Sequence, residues 1–146
     1  MRVDFYHLTA TPLERALPQI AGKLVEGGER LLIVAGDEAL RANLDRLLWT
    51  YAADSFMPHA QAGAGDDSAQ PVLIAAEPRA GNDARNIALV DGVWRAEALG
   101  FDRAFHFFGE EAIAAARAAW RGLAEETDVE RRYWKQDERG RWSQAA

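Results

Sequence analysis

The sequence contains no cysteine. That excludes disulfides, thiolate metal sites and a cysteine nucleophile, and it suits a cytoplasmic protein. Long apolar runs are missing too. None approaches the roughly 20 residues of a membrane span, and the opening MRVDFYHL lacks the apolar stretch of a signal peptide. Positive charge is in deficit: 17 Lys and Arg against 23 Asp and Glu give a formal charge of −6. No whole-surface attraction to nucleic acid or an anionic membrane is therefore expected, which leaves only a local basic patch open. The histidines, His7, His59 and His106, are scattered, without partners at metal-ligand spacing. On predicted strands, His7 and His106 are expected to be hydrogen-bonded structural residues. The P-loop, GxSxG and HExxH patterns are absent, and the GAG at 63–65 falls in a predicted loop. No catalytic residue, metal or cofactor is expected.

What is present fits one domain, residues 1–146, with 49% hydrophobic residues to build a single sizeable core. Residues 2–8 alternate, with Val3, Phe5 and His7 facing one way and Asp4, Tyr6 and Leu8 the other, which predicts a strand. Thr11, Pro12 and Glu14 predict the start of a helix running to about Glu26, capped by Thr11, bent at Pro18 and ended by Gly27-Gly28. RLLIVAG (30–36) and PVLIAAE (71–77) are the continuous apolar runs of strands buried on both faces. Asp37 predicts the cap of a helix from Glu38 to about Thr50. Segments 60–70 and 78–85 read as loops, 86–92 and 101–109 as strands, and Glu110 to about Glu126 as an alanine-rich helix. Residues 131–142 read as a strand, a turn at 137–140, and the start of a second strand or a loose tail. Strands alternating with helices predict an α/β fold, a mostly parallel sheet with helices on both faces. In such a fold Gly36-Asp37 is a position where a nucleotide would sit, although the pair is also a common way to start a helix.

Two surfaces look built for docking. In the second helix, Leu40, Leu44, Leu47, Leu48 and Tyr51 follow the spacing of a core stripe. Trp49 lies roughly 160° from the centre of that stripe. Either it is an exposed anchor that Phe56 and Pro58 extend, or the helix ends near Leu48 and the loop folds over it. In the last long helix, Ala112, Ile113, Ala116, Ala119, Trp120 and Leu123 form an apolar face. Arg117, Trp120 and Arg121 are neighbours at i, i+3, i+4. Such a set suits a carboxylate together with an apolar side chain, as at a peptide C-terminus, with Phe107 or Phe108 as the floor. The same set also suits a core tryptophan beside two arginines paired to glutamates.

The run from the FYHL strand through LLIV, LDRLLW and SFMPHAQAG to PVLIA resembles the chi subunit family of bacterial DNA polymerase III holoenzyme. LDRLLW…SFMPH…AG at 44–63 is its most specific stretch. The resemblance implies a Rossmann-like domain without a catalytic site, serving the clamp loader in DNA replication. It implies that Trp49 and Phe56, with Pro58 adjacent, face the psi subunit or another clamp-loader component. It also implies that Arg117, Trp120 and Arg121 receive the acidic, apolar-ended C-terminal tail of single-stranded DNA-binding protein. The other reading of the residues is a small Rossmann-like nucleotide-binding or nucleotide-processing enzyme with its ligand at Gly36-Asp37.

Overall fold

The computed structural model describes residues 1–51 and 58–146. Phe56, one of the expected docking residues, lies outside the described residues. In chain order the elements are β1 (Arg2–His7), α1 (Leu13–Glu26), β2 (Leu31–Val34), α2 (Glu38–Thr50), β3 (His59–Gln61), β4 (Val72–Ala75), β5 (Asn86–Leu89), β6 (Arg103–Phe108), α3 (Ile113–Gly122), β7 (Glu130–Gln136) and β8 (Trp142–Gln144). The strands form one eight-stranded sheet, ordered β3-β4-β2-β5-β6-β1-β7-β8. Among the described residues every pairing is parallel except β7 with β8. The fold is α/β with a mostly parallel sheet. No helix among the described residues is long and apolar enough to cross a membrane.

The short strands β2, β4 and β5 are buried at every residue, and their side chains are apolar in both directions except Asn86, whose Nδ2 donates to the Arg30 carbonyl. Successive strand residues point to opposite faces, and two core clusters result. One joins Leu31 and Ile33 to Leu17, Ala21 and Leu24 of α1, Leu44 and Leu48 of α2, and Phe105 and Phe107. The other joins Leu32 and Val34 to Val3, Phe5, Phe108, Tyr133, and Ala116 and Leu123 at α3, with Trp120 packed against it.

Local chemistry sets the ends of the helices. Asp37 caps α2 as expected, its carboxylate accepting from the Ala39 and Leu40 N–H groups at 3.3 Å. The Thr11 cap is corrected: Pro12 is the N-cap of α1 and no side chain caps it. The neighbouring N–H groups of Thr9, Ala10 and Thr11 instead donate to Gln136 Oε1 on β7, at 3.1 to 3.2 Å. α1 continues through Pro18, which is buried. The expected loop at 60–70 begins with β3, a short edge strand, and holds a 3₁₀ turn at Asp67–Ala69. The expected long helix is α3 alone, flanked by 3₁₀ turns at Glu110–Ala112 and Leu123–Glu125. Residues 130–144 form a true hairpin rather than a tail. Its turn contains Gly140 at φ +79°, where an added Cβ would stand 2.8 Å from Thr11 Oγ1.

Candidate protein-interaction surfaces

α3 lays Ala116 and its neighbours against the core and presents Arg117 and Arg121 to water. Trp120, half-buried between them, stands edge-on to Phe5 (centroids 5.4 Å) and to Tyr133 (5.6 Å). Among the described residues neither arginine makes a salt bridge or a hydrogen bond. The expected alternative, arginines paired to glutamates, is therefore not what the chain builds. Burial pushes the Tyr133 phenol up; the nearby Arg117 charge opposes this and Glu110 adds to it. Arg117 thus stands near Tyr133, while Glu110 approaches His7, Oε1 to Nε2 2.9 Å.

The expected floor is corrected in part. Phe108 belongs to the same core cluster as Trp120 and meets Tyr133 at 5.8 Å. Phe107 belongs to the other cluster and stacks on Tyr6 at 5.1 Å. Adjacent residues on β6 point to opposite faces, so only Phe108 lies on the Trp120 side. Both rings are sealed, at 2% and 0% exposure, so neither offers a surface to a ligand. Sequence reasoning missed the residue that does reach the indole. Arg131, from β7, holds its guanidinium 4.1 Å from the Trp120 ring centroid and donates to the Trp120 carbonyl. Its only sequence signal is the alternation in RRYW, which puts Arg131 and Tyr133 on one side of the strand.

The second surface closes α2. Leu44 and Leu48 are buried, whereas Trp49 is 54% exposed. Tyr51, expected in the core stripe, is 40% exposed. It is in phase with the stripe but stands at the C-cap, one residue beyond the helix, and phase alone does not say how far the neighbouring layer reaches. The Trp49 ring meets the buried His59 ring at 4.8 Å. His59 Nε2 lies 3.0 Å from the Asp45 carbonyl and 3.2 Å from Asp45 Oδ1, which ties β3 to α2. Pro58, half-buried, precedes β3.

At the carboxyl ends of β2 and β5 the chain's own polar groups pair with one another. The Gly36 N–H donates to Asp91 Oδ2 at 2.9 Å, and Arg95 grips both Asp91 oxygens at 2.8 and 2.9 Å. Burial alone would raise Asp91, but the Arg95 and Gly36 hydrogen bonds hold its carboxyl down at about 2. Arg41 is committed as well, donating to the Ala35 and Gly36 carbonyls. His106 departs from the hydrogen-bonded role expected of it. It is fully buried among Phe5, Trp94 and Phe108, and neither ring nitrogen has a hydrogen-bond partner among the described residues.

DNA polymerase III subunit chi of Escherichia coli is 35% identical over 77 residues, 53% of this chain and 52% of that protein. Its counterpart in Pseudomonas aeruginosa is 35% identical over 86 residues, 56% of this chain and 58% of that protein. The matched stretches thus span little more than half the length of these relatives. The family model described as DNA polymerase III chi subunit, HolC, matches residues 1–129. The chain belongs to the DNA polymerase III chi subunit family.

Proposed function

We propose that this chain is a cytoplasmic, non-catalytic accessory subunit in DNA replication. In this reading it bridges the clamp loader to the C-terminal tail of single-stranded DNA-binding protein. Its fold is Rossmann-like, with helices on both faces of the sheet, a reading supported by the two core clusters. Trp49, with Pro58 and Phe56, faces psi or another clamp-loader component. Arg117, Trp120 and Arg121 receive the tail. The observation that carries this is a pair of exposed arginines, without an ion pair or hydrogen bond among the described residues, on either side of a half-buried indole. An acidic peptide end supplies what they lack: carboxylates for charge-assisted hydrogen bonds and an apolar group for the ring. One charge clamp and one shelf suit micromolar affinity, on the order of −8 kcal/mol or weaker, reduced by salt.

The test is titration of a synthetic acidic tail peptide into the protein and into Arg117→Ala/Arg121→Ala. The paired variant should keep its fold and lose the peptide; undiminished binding rejects the site. No observation favours the nucleotide reading, because the Gly36 N–H that a phosphate would use is already taken by Asp91.

A further inference from the structure

The hairpin of β7 and β8 lies wholly outside residues 1–129, the part that matches the family. From it comes Arg131. We infer that Arg131 is a third cation of the α3 surface, binding the same acidic peptide end as Arg117 and Arg121 and holding the Trp120 ring in place for it. This rests on the reading of that surface as a peptide site.

Three features argue for it. First, the guanidinium lies over the indole at 4.1 Å, so charge and shelf are fixed relative to each other before any ligand arrives. That lowers the ordering cost of binding. Secondly, its hydrogen bond goes to the Trp120 carbonyl, near the C-terminus of α3. Carbonyls there lack helical partners, so the contact locks Arg131 to the element that carries the other two arginines. A guanidinium has five N–H donors, which leaves others for a carboxylate. Thirdly, the surroundings favour an anion. Arg131 lies over the ring, and Arg117 and Arg121 are exposed on the helix that carries it, on a chain of net charge −6. Glu110, the acid that acts on Tyr133, is 2.9 Å from His7. A local positive spot on an acidic surface selects an anionic partner.

The bland role for Arg131 is to cap α3, and the experiment separates the two. A labelled acidic peptide ending in an apolar residue and a free carboxylate is titrated by fluorescence anisotropy over a salt series. The proteins are the parent, Arg131→Gln, Arg131→Lys and Arg117→Ala/Arg121→Ala, each with a thermal midpoint. The inference expects Arg131→Gln to bind about tenfold more weakly, the size of one charge-assisted hydrogen bond, with a shallower fall of affinity with salt. Arg131→Lys should restore the salt slope while recovering only part of the affinity, because an ammonium cannot stack as a planar guanidinium does. A lower midpoint with an unchanged salt slope would make Arg131 a helix cap and overturn the inference. So would parent-like binding by Arg131→Gln. If the parent ignores the peptide, or the Arg117/Arg121 pair proves dispensable, the site itself is misread and the inference falls with it.

Discussion

Trp120 and Trp49 stand near the ends of α3 and α2, and the chain holds them in different ways. Trp120 rests on Phe5 and Tyr133, lies under Arg131 and is flanked by Arg117 and Arg121. Trp49 is more than half exposed, beside His59 and a short edge strand. The first arrangement fixes geometry in advance and adds three arginines on or beside the helix, which suits a short anionic segment. The second offers an indole more than half exposed to water, which suits a broad protein face whose own side chains complete the burial. On the proposed reading, two copies of the same residue type serve different kinds of recognition because their neighbours differ.

The contrast breaks most easily through stability. Trp120→Ala should cost about 3 kcal/mol, as for truncation of a large packed ring. Trp49→Ala should cost less than about 1 kcal/mol, as for a surface change. Urea unfolding of both variants measures this, and equal losses would mean that Trp49 is core.

Acid sharpens the contrast further, because each side has a buried histidine. Burial is the main force holding His106 down at about 4 from 6.5; Asp91 opposes it and Arg95 reinforces it. The unfolded chain therefore takes up the proton first. Stability is intact above pH 6.5 and is lost as pH falls from 6.5 towards 4, by roughly 2 kcal/mol between pH 7 and 5. Asp91 stays ionised throughout that window. Unfolding at the two pH values should show the loss, and His106→Phe should flatten it. A slope that persists in that variant would assign the acid sensitivity elsewhere.

Much of the frame is legible in the residues. LLIV, VLIA and the IAL of β5 announce buried strands because a strand covered on both faces has no polar alternate; Asn86 is buried too but spends its amide on the Arg30 carbonyl. Asp37 announces its helix because its carboxylate serves the first free N–H groups. β3 does not announce itself: His59, Ala60 and Gln61 are too short and too polar at a sheet edge. Gln136 displaces Thr11 from its capping role across more than a hundred residues, and no local pattern encodes that. The candidate site divides in the same way. The spacing of Arg117, Trp120 and Arg121 on one helix is a local fact and visible. Phe107 is separated from Phe108 by the pleat, a matter of which face each residue takes. Arg131 reaches Trp120 only because β7 pairs in parallel with β1, so its place depends on strand order. His106 looks like any strand histidine until its neighbours are known to be rings.

A smaller effect probes the α2 surface. His59→Ala removes the ring behind Trp49 and the tie to Asp45. It should lower stability by about 1 kcal/mol, the scale of one hydrogen bond. Peptide binding at α3 should be unchanged in the same variant, as isothermal titration would show.

The most direct measurement titrates one acidic, carboxylate-ended peptide into three proteins: the parent, Trp49→Ala, and Arg117→Ala/Arg121→Ala. A peptide site on α3 separate from the α2 surface requires parent-like affinity for Trp49→Ala and a loss of about a hundredfold or more for the paired arginine variant, two charge-assisted contacts being removed. Undiminished binding by the arginine variant, or an equal loss in Trp49→Ala, would contradict it.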